Sequence, residues 1–239
     1  IEARMTSSRL PGKVLLPLVG KPALECMIER IKNSELVDEI VVATTVNSTD
    51  DCIVDLCKKL GVGYFRGSED DVLSRVLGAA QKYEADVIVE LTGDCPVIDH
   101  ILIDKCIELF FNNSVDYVSN DLKPTFASGF NVQVFPTFVL AEVDKLTNDP
   151  IDRTHVSYYI YNHPERYRLY NLAAEGEYYS PEMRVTLDEQ DDYILLKEIY
   201  NRLYPVNNDF SALDIIRLLR TNPDLFSINK HVRQKYASE

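Results

Sequence analysis

Arg4, Arg9 and Lys13 fall within ten residues, separated by Thr, Ser, Pro and Gly in the stretch A-R-M-T-S-S-R-L-P-G-K. Three cations on a loop of small and turn-forming residues can wrap a triphosphate, with loop N–H groups as further donors. Counting Lys21 and the single acid Glu2, the first twenty-one residues carry +3, whereas the whole chain carries −13. Such a basic head can hold a polyanion that the rest of the surface repels. The pattern points to nucleotide handling, without the G-x-x-x-x-G-K-[ST] of a P-loop.

Two carboxylates could complete such a site. In Leu91-Thr92-Gly93-Asp94-Cys95-Pro96, Gly93 and Pro96 make a sharp exit from an apolar run and leave Asp94 at its carboxyl end. An Asp there can hold Mg²⁺ through one or two oxygens while phosphates complete the shell; it can equally cap the next turn. In R-V-T-L-D-E-Q-D-D, Asp188 follows an alternating run and precedes a helix, so it is either that helix's N-cap or a second metal carboxylate. Asp191 and Asp192 read as first-turn acids facing the helix dipole. The turn Arg66-Gly67-Ser68 before a helix could contact a base or ribose, or simply cap that helix. His155 stands alone on an expected helix, where a structural role is the commoner one.

The elements that must position these residues follow from hydrophobic period. Helices are expected over 22–32, 49–60 (Thr49 as cap, Gly61 as stop), 69–83 and 101–111, with continuous apolar strands at 39–45, 62–65 and 87–91. This alternation predicts an α/β fold with a doubly wound parallel sheet covered by helices on both faces. Ligands in such sheets bind beyond the carboxyl ends of the strands, where the basic loop and Asp94 are expected to meet. After residue 115, strands are expected at 116–119, 131–135, 167–173 and 183–187, and helices at 136–146, 153–161, 191–203 and 212–220. Residues 1–112 are expected to form a nucleotide-binding half, and 113–239 an acceptor or dimerisation half completing the same sheet in one domain.

Bulk properties narrow the classes. A sequence pI near 4.8 argues against a nucleic-acid or acidic-membrane partner. No apolar run approaches the roughly 18 residues of a membrane span, and no secretory signal opens the chain. The chain starts inside an expected first strand, so further residues of that strand are expected before Ile1. Five cysteines, an odd number mostly in apolar or helical settings, fit reduced thiols in a cytoplasm. No G-x-S-x-G elbow or C-x-x-C motif suggests a hydrolase or redox enzyme.

Taken together, A-R-M-x-S-S-R-L-P-G-K, G-K-P-x-L, E-I-V-V-A-T, F-R-G-S-E-D-D-V-L-x-R, L-T-G-D-C-P-x-I-D and T-L-D-x-x-x-D resemble the SpsF-type cytidylyltransferases, relatives of the CMP-Kdo and CMP-sialic acid synthetases. The resemblance runs from Ala3 to the segment 223–231. It implies a Rossmann-like, GT-A-like nucleotidyltransferase that makes a CMP-sugar, with a sugar acid as the expected acceptor, from CTP and releases pyrophosphate. By the same resemblance Ala3, Arg4, Ser8, Arg9, Lys13 and Thr92 would surround CTP, with Lys21 assisting. Asp94 and Asp188 would hold Mg²⁺, Arg66 and Ser68 would lie near base or sugar, and Arg153 and His155 would face the acceptor. A homodimer is implied too. Two departures stand out. Glu2 occupies a position usually Gln, and S-G-F-N-V-Q-V-F at 128–135 replaces D-G-L-D-V-E-V-F, so that Ser128, Asn131 and Gln133 stand for three acids. A glycosyltransferase using a preformed sugar nucleotide and a non-catalytic nucleotide-binding relative remain alternatives.

Overall fold

The computed structural model describes residues 1–234. Its strands are β1 (Pro17–Leu18), β2 (Lys21–Pro22), β3 (Val41–Thr45), β4 (Gly63–Gly67), β5 (Val87–Glu90), β6 (Tyr117–Ser119), β7 (Gln133–Pro136) and β8 (Leu169–Asn171). Its helices are α1 (Ala23–Ile31), α2 (Asp51–Leu60), α3 (Val72–Lys82), α4 (His100–Asn112), α5 (Thr137–Leu146), α6 (Pro150–Thr154), α7 (Tyr158–Asn162), α8 (Gln190–Leu203), α9 (Ala212–Thr221) and α10 (Pro223–Ser227).

β3 and β4 pair in parallel, and β5, β7, β6 and β8 form a second ladder in that order. Glu2 joins the two, with parallel bridges to Ala43 in β3 and to Thr92 beyond β5. The Glu2 N–H donates to Leu91 O (3.1 Å) and the Ala3 N–H to Ala43 O (3.2 Å). The resulting layer runs β4, β3, the opening residues, β5, β7, β6, β8. It is a mixed sheet, which corrects the expectation of a parallel one: β7 runs antiparallel to both of its neighbours. The connection from β6 to β7 carries no crossover helix, so the chain returns instead of crossing over.

Alternation along the strands sends side chains to both faces. Val42, Val118 and Val134 join a core with α1, α2, α4, α8 and α9, whereas Ala43, Tyr117 and Phe135 join one with α3, α5 and α7. Helices therefore cover both faces, as expected. Gly61 ends α2 in the left-handed region (φ 66°), as its stop position predicts. The helix expected from Thr49 opens instead as a 3₁₀ turn, Ser48–Asp50.

Two expected elements differ. Residues 153–161 form two short helices, because Val156 between them takes φ 33°, outside helical space and strained for a β-branched residue. Residues 183–187 are not a ladder strand. They hold one bridge, Arg184 to Ser128, and lie against the 94–98 turn through Leu187 N–H to Asp94 O (2.7 Å). The five cysteines are all free thiols. No helix among the described residues is long and apolar enough to cross a membrane.

Candidate active site

The head loop is closed by its own backbone. The Gly12 N–H donates to Met5 O (2.8 Å), and Gly12 sits at φ 73° to start the 3₁₀ turn that carries Lys13. A side chain at residue 12 would be strained by that φ and would press on Met5. From the other side, the Met5 N–H donates to Asp50 Oδ1 (2.8 Å), while Asp50 Oδ2 accepts from Thr44, Thr45 and the Thr45 N–H. Burial alone would raise the Asp50 carboxyl, but these donors hold it below the usual range. No motif in the sequence marks Asp50 as the anchor of this loop.

The loop delivers Lys13 into a buried cluster of acids. Its Nζ lies 2.8 Å from Asp94 Oδ2 and 2.7 Å from Asp188 Oδ1. Arg9 approaches the same Asp188 Oδ1 at 2.8 Å, and Arg184 Nη2 meets Asp188 Oδ2 at 2.6 Å. Burial would lower the Lys13 ammonium, but Asp94 and Asp188 raise it, so it is charged at neutral pH. Burial would raise the Asp188 carboxyl, yet Lys13, Arg9 and Arg184 hold it down at about 2. Asp94 is fixed through its backbone, its carbonyl accepting from the Leu187 N–H and from Thr186 Oγ1 (3.1 Å). The exit at Gly93 is tight: a Cβ there would lie 2.7 Å from Glu2 O and 3.0 Å from Ala3 Cβ.

Asp188 is not the cap of α8. Glu189 takes that role in a reciprocal box with Asp192, which leaves the Asp188 side chain facing Lys13. Asp192, expected as a first-turn dipole acid, is fully buried. It holds Arg184 Nε (3.1 Å) and Asn229 Nδ2 (2.8 Å) and accepts the Asp188 N–H (3.0 Å). Asp192 does lie in the first turn of α8, as expected, but sequence reading missed its pairing with Arg184; their i to i+8 spacing across a strand-to-helix turn has no motif signal.

The structure thus brings Arg9, Lys13, Asp94 and Asp188 together, with Ala3 and Thr92 in the backbone beneath them. Ser8 is exposed on the same loop. Arg4 turns to Glu69 (3.3 Å), which also accepts from Thr6 and Asn47. Arg66 is spent on the β3–α2 connection, donating to Thr45 O (2.8 Å) and Asn47 O (2.7 Å) and pairing with Asp51 (2.6 Å). Ser68 accepts from the Asp71 N–H (3.1 Å), so it caps the approach to α3. Lys21 lies between Glu29 (2.7 Å) and Tyr204 Oη (3.1 Å), apart from this cluster. Arg153 bridges Asp71 and Asp144 (2.9 Å), clamping the start of α3 to α5, and His155 is exposed. The three replaced acids also have partners. Ser128 donates to Gln234, Asn131 accepts the Gly129 N–H (2.8 Å), and Gln133 accepts from Tyr117 (2.6 Å) and Ser157. Glu2 faces Arg75 at 3.9 Å, and burial raises its carboxyl.

The chemistry of the cluster suits a hard divalent cation. Two carboxylates converge on one cationic atom, Lys13 Nζ, and Mg²⁺ is commonly held by one or two carboxylates with phosphate oxygens completing the shell. Among the described residues no group of three or more His, Cys, Asp or Glu side chains could hold a metal; the two carboxylates Asp94 and Asp188 are the residues that would hold one here.

A basic loop folded over paired carboxylates, at the carboxyl edge of a helix-covered mixed sheet, defines a nucleotidyltransferase. The cytidylyltransferase family model matches residues 1–215, and the chain belongs to that family. It is 36% identical to the spore coat polysaccharide biosynthesis protein SpsF of Bacillus subtilis, over 94% of both chains. A solved cytidylyltransferase from Leptospira borgpetersenii superposes with a TM-score of 0.90 at 34% identity, covering 98% of this chain and 96% of that one. The 3-deoxy-manno-octulosonate cytidylyltransferase of Geobacter metallireducens is 33% identical over 45% of this chain and 41% of its own.

Proposed function

We propose that the protein is a CMP-sugar synthetase, transferring CMP from CTP to a hydroxyl of a sugar, expected to be a sugar acid, with release of pyrophosphate. The observation that carries this reading is Lys13 Nζ held at 2.8 and 2.7 Å by Asp94 and Asp188. Three cations (Arg9, Lys13, Arg184) face four acids (Asp94, Asp188, Asp192 and, at 3.9 Å from Arg9, Glu189), so every cation of the cluster has a carboxylate partner. An incoming triphosphate competes for Arg9 and Lys13 and frees the two carboxylates for a cation of their own. Mg²⁺, when bound by Asp94 and Asp188, would offset charge on the α-phosphate.

The chain's own groups then do the positioning. Arg9 and Lys13 bind the β- and γ-phosphates, which become the leaving group. Arg184 keeps Asp188 oriented, and the closed backbone of residues 5–13 fixes the distance between cations. The sugar hydroxyl attacks the α-phosphorus in line as the bond to pyrophosphate breaks. The protein's contribution is orientation and charge neutralisation. In this reading the fold is of the GT-A-like type, residues 1–112 hold the nucleotide and 113–239 hold the acceptor in one domain, of which 235–239 lie outside the described residues. A cytoplasmic homodimer serving surface polysaccharide synthesis is the expected setting.

Pyrophosphate release with Mg²⁺, each of the four NTPs and a panel of sugar acids and neutral sugars tests the proposal. Release with CTP and one sugar, lost in Asp94→Asn, is expected. Full Mg²⁺-dependent turnover in that variant would remove Asp94 from its assigned role.

A further inference from the structure

The chain after α9 has no part in the reading above, although the resemblance extends through residue 231. α10 packs against α8 and α9. Beyond it, Asn229 is buried, and its Nδ2 donates to Arg184 O (3.0 Å) and to Asp192 Oδ1 (2.8 Å). His231 Nε2 lies 3.2 Å from Asp191 Oδ2, and the Val232 N–H donates to Asn229 O (2.9 Å). Residues 229–232 thus fold back over the first turn of α8. This brings Gln234, itself exposed, to Arg184: its Oε1 accepts from Arg184 Nη1 and from Ser128 Oγ (3.2 Å). Ser128 and Arg184 are already backbone neighbours, with the Val185 N–H donating to Ser128 O (2.7 Å).

Two residues of this segment therefore hold Arg184 at opposite ends, Asn229 at its carbonyl and Gln234 at its guanidinium. All three guanidinium nitrogens are engaged: Nε by Asp192, Nη2 by Asp188 (2.6 Å) and Asp192 (3.2 Å), and Nη1 by Gln234. A guanidinium is a planar fork with donors in fixed relative directions, so an acceptor on one nitrogen restricts where the others point. Asp192 spans the Nε and Nη2 edge at 3.1 and 3.2 Å, long for charge-assisted bonds. The Gln234 contact on Nη1 is what keeps that looser edge from swinging relative to Asp188.

Resting on the synthetase reading, we propose that Asn229 and Gln234 are positioning residues for the reaction: they fix the Arg184 guanidinium, and through it the Asp188 carboxylate that faces Lys13. Both act through Arg184 and not on the substrate. The first thirteen residues thus supply the cations of the site, and residues 229–234 set the aim of one of its carboxylates.

Gln234 gives the cleaner probe, because it is exposed and its truncation opens no core. In the ligand-free full chain, NMR should show the Arg184 Nε–H exchanging slowly with water, and Gln234→Ala should speed that exchange about fivefold or more. In the same variant kcat should fall about threefold to tenfold, with KM for CTP within about twofold and an unchanged thermal midpoint. Gln234→Glu keeps an acceptor oxygen at the same reach, and should return both readouts to within about twofold of the native chain. Asn229→Ala should lower kcat further and lower the midpoint as well, since it strips a buried carbonyl and a buried carboxylate of their donor. If that variant does not fold, the two Gln234 variants still decide. Native Nε–H exchange in Gln234→Ala overturns the hold on Arg184. Faster exchange with native kcat overturns the link to Asp188. A native chain that releases no pyrophosphate with any sugar refutes the synthetase reading, and the exchange measurement then decides the hold on Arg184 by itself.

Discussion

Arg184 holds Asp188 and Asp192 at once, Nη2 lying 2.6 Å from Asp188 Oδ2 and Nε 3.1 Å from Asp192 Oδ1. Asp188 thus has cations on both oxygens, Lys13 and Arg9 on one and Arg184 on the other. Its orientation is fixed before any ligand arrives. Arg184→Lys should keep the charge but lose the two-pronged hold. The expected outcome is a fall in kcat of about tenfold to a hundredfold with little change in KM for CTP, read by pyrophosphate release.

Lys13→Met removes the ammonium shared by Asp94 and Asp188 and leaves two carboxylates facing each other. Loss of a single preorganised charge of this kind typically costs about 10²–10³ in rate, and breaking a buried pair adds a stability cost of up to about 3–5 kcal/mol. Turnover should drop by that factor, and the thermal midpoint should fall. Added Mg²⁺ should restore part of the midpoint in the variant by taking the vacated charge position; no recovery would contradict the metal-binding role of the pair.

The pH dependence of stability has a definite sign. Asp188 is held at about 2, below the ordinary aspartate value, so it favours the folded state at neutral pH. That contribution is complete above pH 4 and is lost as pH falls from about 4 through about 2. Its size is roughly 2 kcal/mol. Urea denaturation at pH 6 and pH 3 should show a steeper loss for the native chain than for Asp188→Asn. Equal slopes would mean that the surrounding cations do not act on this group.

Gly129 has φ 113°, and a Cβ there would lie 2.7 Å from Val185 C and 2.8 Å from Thr186 N. Both atoms belong to the backbone that leads to Asp188. Gly129→Ala should therefore destabilise by about 2–4 kcal/mol, through strain and displacement together, and should lower turnover by moving Asp188. Denaturant midpoints and kcat measure the two effects separately.

Arg153 and Asp71 give the contrasting case. The clamp on Asp71 and Asp144 (2.9 Å) ties α3 to α5 and is only partly buried, with the Arg153 side chain 16% exposed. Arg153→Gln should cost stability of about 1–2 kcal/mol while leaving KM for CTP within twofold. A large rise in acceptor KM at unchanged stability would return Arg153 to the acceptor side, where the resemblance had put it.

Much of this was legible in the residues, for stated reasons. The apolar run 39–45 and the Gly61 stop carry their own local physics, and they appear close to where they are expected. Lys13, Asp94 and Asp188 each stand beside turn residues, a pattern that fits a ligand site and a cap alike; that the three meet is set by tertiary geometry. Arg66 and Lys21 look the same in sequence but pair elsewhere, Arg66 with Asp51 and two carbonyls and Lys21 with Glu29 and Tyr204; only tertiary geometry shows which cations share the acids of one cluster. The break at Val156 contradicts helical propensity on both sides of it, and the reversal of β7 depends on a connection with no periodic signal. Asp50 and Asp192 do their work through backbone N–H groups and a buried arginine, which no spacing rule reports.

The ion pair between Lys13 and Asp188 spans 175 positions of the chain. Loop closure over that distance comes late, after more local contacts have formed. During synthesis the ribosome releases Lys13 long before its partner exists. A nascent chain stopped before residue 183 would contain the residues of all eight strands, yet would lack Arg184 and Asp188 and so could not assemble the cluster. The site thus forms only when residues 184–192 return to the loop of residues 4–13.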